Sequence, residues 1–188
     1  RTTVLRRIER RMVVTHNSNL GEYVKFLGTD DEEANILVKE ILIGVTNFFR
    51  DPSFFESLKQ NAVYNIVKRT GPKEPIRVWS AGCSTGEEAY SLAILFREVM
   101  DEMNVQRDLK IFATDVDTKA IEQAGKGVFS DSILDDVSGD RLAKFFTKKN
   151  DQYVISKEIR RMIIFAPHNM LSDPPFGKLD LISCRNVM

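Results

Sequence analysis

Hydrophobic and polar positions follow two different periods along the chain, and the period changes near residue 70. Before that point, apolar residues recur every three or four positions, which is the spacing of one face of a helix. From Ile76 onward, short apolar runs alternate with helical patterns. This alternation predicts strands joined by helices, and therefore a parallel sheet. The chain thus begins with helices alone and continues as an α/β unit.

The first part of the chain, residues 1–69, predicts a small all-helical domain. Residues 1–14 predict a basic amphipathic helix, with an apolar stripe on one side and arginines on the other. Three further helical patterns follow, with recognisable start and stop signals. These signals are the capping-box pair Thr29 and Glu32, the helix stop Gly44, the cap Asp51, and Pro52 at a first helical position.

The second part, residues 76–188, predicts an α/β domain behind a linker rich in proline and glycine at residues 70–75. Four short apolar runs are typical of buried parallel strands. They are residues 76–79, 109–114, 162–165 and 179–183. Residues 128–160 are less regular and predict a small subdomain. A doubly wound sheet rarely ends on its fourth strand, so we expect C-terminal strands that this chain lacks.

The turn after the first strand, residues 80–86, suggests the kind of ligand. Strand, glycine turn and helix form the opening unit of nucleotide-binding α/β domains, and Gly82 allows a ligand to approach the backbone closely. Glu87 and Glu88 occupy the first turn of the following helix, where they would repel a phosphate. A nucleoside that carries positive charge, such as S-adenosylmethionine, fits this turn better.

Polar residues follow the other predicted strands as well. Asp115 comes after the second strand, where it can accept hydrogen bonds from ribose hydroxyls, and Asp117 can cap the next helix. Asn169 follows the third strand, and Arg185 and Asn186 follow the fourth. Ligands of open parallel sheets lie at the carboxyl ends of the strands, so we expect these side chains to share one site.

Several of these residues have a purely structural alternative. Thr85 with Glu88 also matches a capping box, which leaves Glu87 as the better ligand candidate. Asn169 could pair with an adenine edge or close a turn. Arg50, beside two phenylalanines, is either a surface residue or part of a lid over the ligand. The residues alone leave these alternatives open.

Charge and composition disfavour several classes of function. The formal net charge is zero, which argues against a nucleic-acid partner. No apolar run is long enough to span a membrane. The two cysteines, Cys83 and Cys184, and the two histidines form no metal-ligand pattern. We therefore expect a cytoplasmic monomer with reduced thiols and no bound metal.

Four motifs stand in order along the chain, at residues 46–51, 78–91, 113–117 and 184–188. Together they resemble the CheR family, the chemotaxis receptor glutamate O-methyltransferases. The resemblance covers the chain from end to end. It implies a Rossmann-like methyltransferase domain behind a helical domain, with S-adenosylmethionine as methyl donor and S-adenosylhomocysteine as product.

The resemblance also implies roles for individual residues. Arg50 would position the reacting groups. The residues that would bind the cofactor are Thr46, Arg50, Gly82, Glu87, Asp115, Asn169, Met170, Arg185 and Asn186. The methyl acceptors would be glutamate side chains on the cytoplasmic helical domain of methyl-accepting chemotaxis receptors. The basic residues of the first helix that would face this acidic partner are Arg6, Arg7, Arg10 and Arg11.

The leading hypothesis is therefore a protein-glutamate O-methyltransferase. The alternative is a CheR-like module that binds the cofactor or scaffolds a signalling complex without turnover. Family members continue past Met188, which leaves open whether the chain as given is active. A dinucleotide-dependent oxidoreductase is disfavoured by Glu87 and Glu88 and by the missing Gly-x-Gly-x-x-Gly pattern.

Overall fold

The structure is a computed structural model that describes residues 3–41 and 46–186. The chain divides into two compact units, and the division falls between Val45 and Thr46. The sequence predicts a later boundary, at the linker of residues 70–75. Residues 46–69 therefore lie in the same compact unit as the α/β part of the chain.

Within residues 3–41, three helices form the first unit. They are α1 (Thr3–Val14), α2 (Leu20–Leu27) and α3 (Asp31–Ile41). The Asp30 carboxylate accepts a hydrogen bond from the Glu33 amide at the start of α3. The predicted capping box of Thr29 and Glu32 is therefore wrong, because Asp30 takes the capping position. The predicted helix stop at Gly44 lies outside the described residues.

A largely buried ion pair links the helices of this unit. Tyr23 is fully buried, and its hydroxyl donates to Glu33 Oε1 at 2.7 Å. Arg11 Nε donates to the same oxygen at 2.9 Å, and this bond holds the pKa of Glu33 below its ordinary value. Burial raises the pKa of Tyr23 to about 12, and the bond to Glu33 adds to the shift. The sequence assigns Arg11 to a surface that faces a partner, and in the structure its side chain pairs with Glu33 inside this unit.

Within residues 46–186, the second unit contains seven strands in two sheets. In chain order they are β1 (Ile76–Ala81), β2 (Leu109–Asp115), β3 (Val128–Ser130), β4 (Phe146–Lys149), β5 (Gln152–Ile155), β6 (Ile163–Pro167) and β7 (Leu181–Cys184). The central sheet has the order β6-β2-β1-β7, and all its pairs are parallel. This is the strand order of a doubly wound sheet, so the predicted Rossmann-like α/β fold is confirmed.

Six helices accompany these strands within residues 46–186. They are α4 (Pro52–Leu58), α5 (Tyr64–Arg69), α6 (Glu87–Glu102), α7 (Thr118–Lys126), α8 (Gly139–Phe145) and α9 (Lys157–Arg161). A π-helical turn (Lys59–Val63) joins α4 to α5 and interrupts what the sequence predicts as one helix. Pro52 takes the first helical position as predicted, but the Asp51 side chain makes no capping hydrogen bond. Among the described helices, none is long and apolar enough to cross a bilayer.

The core of this unit forms where α6 meets the sheet. Ile76 and Val78 of β1 are fully buried, as are Leu92 and Phe96 of α6. The π-helical turn and α5 pack against α6 as well. Because these helices share the core of the sheet, they belong to the α/β unit.

The smaller sheet is antiparallel and has the order β3-β5-β4. It lies in the region that the sequence marks as irregular, between α7 and β6. Phe129 and Phe146 from this sheet pack edge-on against Phe48, with ring centroids 4.8 and 5.5 Å apart. The small sheet therefore supports the segment that carries Arg50.

Candidate functional site

The predicted site residues of the second unit meet at the carboxyl edge of the parallel sheet. Ala81, the last residue of β1, lies level with Thr114 of β2 and with Cys184 of β7. The segments that follow these strands therefore start side by side. The predicted residues in or after them are Gly82, Glu87, Asp115, Arg185 and Asn186. Asn169 and Met170 follow β6, whose Ala166 also lies level with Thr114.

The turn after β1 depends on an unusual backbone. Gly82, Ser84 and Gly86 have φ angles of 70°, 49° and 96°. A Cβ atom at Gly86 would lie 2.9 Å from Ala124 Cβ and 3.2 Å from the ring of Phe165. Gly86 is thus required both by its backbone conformation and by lack of space.

Asp115 is fixed beside this turn. Its Oδ2 accepts a hydrogen bond from the Ser84 amide at 2.8 Å, and its Oδ1 accepts one from the Asp117 amide at 3.0 Å. Each carboxylate oxygen has a second lone pair, so Asp115 can also accept hydrogen bonds from ligand hydroxyls. Asp117 caps α7 as predicted, because its side chain accepts from two helix amides.

The two glutamates at the start of α6 have different partners. Glu87 Oε2 accepts a hydrogen bond from the Thr85 hydroxyl at 2.7 Å. Burial raises the pKa of the Glu87 carboxyl, although the bond from Thr85 opposes this shift. Glu88 Oε1 accepts from the Ser80 hydroxyl at 3.1 Å. The capping box of Thr85 with Glu88 is therefore not formed, and Glu88 is tied to β1 instead.

The segment after β6 is a tight turn. Asn169 Oδ1 accepts a hydrogen bond from the Leu171 amide at 3.0 Å, and the Asn169 amide donates to Asp173 at 2.8 Å. Of the two alternatives for Asn169, the structure contains the turn-closing contact. Asn169 and Met170 are both exposed at the edge of the sheet.

The segment of residues 46–51, here named the Arg50 loop, lies on the helical side of the site. The Phe49 amide donates to Ser91 Oγ at 2.9 Å, and the Ser91 hydroxyl donates to the Glu87 carbonyl oxygen at 2.7 Å. Ser91 is fully buried and links the loop to the helix that carries Glu87. Sequence reasoning missed Ser91, although a serine on the apolar face of α6 was a signal.

Arg185 reaches the same loop from β7. Its Nη1 and Nη2 atoms donate to the Arg50 carbonyl oxygen at 3.1 and 3.2 Å. Nη2 also donates to Asp51 Oδ2 at 2.5 Å, and the guanidinium lies 4.0 Å from the centroid of the Phe54 ring. Glu88 Oε2 is 3.9 Å from Nη1. The sequence assigns Arg185 to the cofactor pocket, and in the structure its side chain contacts the Arg50 loop.

The remaining candidates take simpler positions. Thr46 is half-buried, Arg50 is exposed, and Asn186 is exposed with a φ of 55°. Burial raises the pKa of the Cys83 thiol, and Cys184 is exposed. Across residues 3–41 and 46–186, no cluster of three histidine, cysteine or acidic side chains could hold a metal ion.

The geometry selects the class of ligand. A fixed carboxylate at Asp115 suits hydroxyl groups, and the carboxylates of Glu87 and Glu88 suit positive charge and disfavour phosphate. The second unit is therefore a Rossmann-like domain whose site fits S-adenosylmethionine. Residues 44–188 match the family described as "CheR methyltransferase, SAM binding domain", and residues 1–42 match "CheR methyltransferase, all-alpha domain". The chain belongs to the CheR methyltransferase family, and S-adenosylmethionine is the cofactor of the matched domain.

Individual relatives agree with this assignment. An "Uncharacterized 104.1 kDa protein in hypE 3'region" of Rhodobacter capsulatus is 46% identical over 99% of this chain and 20% of its own length. The "Chemotaxis protein methyltransferase" of Borreliella burgdorferi is 30% identical over 90% of this chain and 62% of its own. The "Chemotaxis protein methyltransferase 2" of Vibrio cholerae is 30% identical over 97% and 65%. The chain thus spans a fifth of the first relative and under two thirds of the other two.

Proposed function

We propose that the protein methylates glutamate side chains of methyl-accepting chemotaxis receptors, with S-adenosylmethionine as donor. The observation that carries the proposal is the match of residues 44–188 to the CheR cofactor-binding domain. The names of the Borreliella and Vibrio relatives support the link to chemotaxis. The products would be glutamate methyl esters and S-adenosylhomocysteine, and the expected location is the cytoplasm.

This reaction does not require a general base in the protein. When bound, S-adenosylmethionine supplies an electrophilic methyl group on a sulfonium sulfur. A glutamate carboxylate is already ionised at neutral pH, so no base has to remove a proton before its oxygen forms the new bond. The residues at the sheet edge would therefore act by binding, aligning and shielding the reacting groups from water.

Two acidic residues of the site have suitable tasks in this proposal. Asp115 would accept hydrogen bonds from the ribose hydroxyls while Ser84 and Asp117 hold it in place. Glu87 would bind the cationic end of the cofactor. Burial raises the pKa of the Glu87 carboxyl, and a nearby positive charge would lower it again because it favours the ionised form.

Arg50 would act from the loop on the other side of the site. A guanidinium can hold a carboxylate through two parallel hydrogen bonds, which fixes the orientation of the carboxylate as well as its position. Thr46 from the same loop, Gly82 below it and Asn169 and Met170 at the end of β6 would complete the pocket. Asn186 would close it beside β7.

The receptor would meet the basic first helix in this proposal. Arg7 and Arg10 belong to the set that the sequence assigns to this contact, with Arg6. Arg11 is left out, since it pairs with Glu33. Opposite charges on two partners raise the rate at which they associate. Added salt screens the charges, so the association rate should fall as the salt concentration rises.

The test is methyl transfer from labelled S-adenosylmethionine to a receptor cytoplasmic fragment. Base-labile, volatile label on the fragment is the expected result, because methyl esters hydrolyse in base. Base-stable label would contradict the proposal and indicate a nitrogen or carbon acceptor. Binding of S-adenosylhomocysteine without any transfer would instead favour a non-catalytic module.

Two neighbouring aspartates provide a matched pair of variants for this assay. Asp115→Ala should lose transfer and cofactor binding together, since Asp115 lies at the site. Asp117→Ala removes a helix cap of α7 and should lower stability by about 1 kcal/mol while keeping cofactor affinity. Equal affinity in Asp115→Ala and the unaltered protein would remove Asp115 from the site.

A further inference from the structure

Arg185 holds the Arg50 loop from several sides. Its guanidinium binds the Arg50 carbonyl oxygen through two nitrogens, binds the Asp51 carboxylate, and stacks on Phe54. Only 17% of the Arg185 side chain is exposed, against 63% for Asp51. These contacts join the end of β7 to a loop that lies 134 residues earlier in the chain.

The loop has a backbone that needs such support. Phe49 and Asp51 have φ angles of 49° and 60°, in the left-handed region that non-glycine residues avoid. A backbone of this kind persists only where the surrounding structure fixes it. Ser91 binds the amide of Phe49 on one side, and Arg185 binds the loop on the other.

The Asp51 side chain binds Arg185 instead of capping α4. It stands at the N-cap position of α4, where an aspartate carboxylate ordinarily accepts hydrogen bonds from the first helix amides. Here the side chain makes no such bond, and Oδ2 accepts from Arg185 instead. The local interaction is replaced by a long-range one.

We propose that Arg185 is a positioning residue that holds the Arg50 loop in its left-handed conformation and so sets where Arg50 meets the ligand. Glu88 at the start of α6 lies beside the same guanidinium, with its Oε2 3.9 Å from Nη1, while its Oε1 accepts a hydrogen bond from Ser80 on β1. The inference rests on the proposed function insofar as Arg50 binds the cofactor.

Non-additivity of two substitutions tests the inference. Calorimetry with S-adenosylhomocysteine would compare Arg185→Ala, Arg50→Ala and the double variant. Each single variant should bind about tenfold more weakly, which corresponds to one well-placed charged hydrogen bond. The double variant should bind like Arg50→Ala, within about twofold. Losses that multiply would mean that Arg185 contacts the cofactor independently and would overturn the inference.

Hydrogen exchange of the loop amides gives a readout that needs no ligand. Arg185→Ala should speed exchange in residues 46–55, and Arg185→Lys should restore part of the protection, because lysine can still pair with Asp51 but lacks the two-pronged geometry. The matched control is Arg69→Ala, which removes an arginine bound to Asp180 at the other end of β7. Unchanged exchange in Arg185→Ala, or an equal effect of Arg69→Ala on the loop, would overturn the inference.

The two measurements separate this inference from the proposed function. If the unaltered protein fails to bind S-adenosylhomocysteine, the proposed function fails, and hydrogen exchange still decides whether Arg185 holds the loop. If Arg50→Ala binds S-adenosylhomocysteine as tightly as the unaltered protein does, Arg50 does not contact the cofactor and the inference is overturned.

Discussion

Substitution of Gly86 by alanine should destabilise the α/β unit strongly. Gly86 has a φ of 96° and a ψ of −2°, a left-handed conformation that costs an alanine roughly 1–2 kcal/mol. The added Cβ would also lie 2.9 Å from Ala124 Cβ, in a place where neighbouring atoms are held by the core. Overfilling such a site typically costs about 1–3 kcal/mol. The two effects together predict a loss of about 2–5 kcal/mol in the free energy of unfolding.

Urea unfolding followed by tryptophan fluorescence measures this loss. Trp79 is the single tryptophan of the chain, it is buried in β1, and its indole nitrogen donates to Thr114 Oγ1. Its emission therefore reports unfolding of the sheet. A loss of 2–5 kcal/mol should lower the urea midpoint by roughly 1–2 M at a typical slope.

Gly139→Ala is the matched control. Gly139 opens α8, and an added Cβ would meet no atom within 4 Å. Alanine in a helix is favoured over glycine, so this variant should gain up to about 1 kcal/mol. If Gly86→Ala shifted the midpoint no more than Gly139→Ala, the argument from backbone and space at Gly86 would be refuted.

Four other outcomes follow from the same structure. Tyr23→Phe should destabilise the first unit by about 1.5–3 kcal/mol, because it removes a hydrogen bond to the charged Glu33; circular dichroism in urea measures it. The pKa of Glu33 is lowered on folding, so its contribution is present above the unfolded value of about 4.3 and is lost as pH falls through the folded pKa; a first unit equally stable at pH 3 and 7 would contradict this. The pKa of Glu87 is raised on folding, so its carboxyl makes folding less favourable as pH rises from about 4.3 through the folded pKa. Thermal melts across that pH range should show this loss of stability in the unaltered protein and not in Glu87→Gln. The same variant should bind S-adenosylhomocysteine more weakly. Asp115→Asn should destabilise the turn by about 1–3 kcal/mol, since one of its two amide contacts loses its acceptor, and a urea midpoint equal to that of the unaltered protein would argue against it.

The strands could be predicted from the sequence because buried strands depend on local pattern, and the candidate site was inferred from the residues that follow them. Buried parallel strands appear as short apolar runs, and each predicted run overlaps a strand of the central sheet. Strand order then follows from the few topologies that parallel sheets allow. Asp115 and Glu87 could be named as candidates because each directly follows a strand or opens a helix.

The sequence did not predict hydrogen bonds in which a side chain could bind either of two partners. Thr85 could bind either glutamate, and only the three-dimensional position of Ser80 draws Glu88 away. Asp51 matches the cap pattern, yet Arg185 competes for its carboxylate from the far end of the chain. Periodicity contains no information about such distant competitors. The same applies to the π-helical turn after α4, which leaves the apolar pattern nearly intact.

The strand order of the central sheet has a consequence for how the chain folds as it is made. β1 lies between β2 and β7, and the Arg77 amide of β1 binds the Asp180 carboxylate, 103 residues later. At translation rates of about 5–20 residues per second, β7 would leave the ribosome roughly 5–20 s after β1. For that time one edge of an apolar strand has no partner, and such an edge is a template for pairing with other chains. The strand that opens the candidate cofactor site is thus also, for that time, an edge at which the nascent protein can pair with other chains.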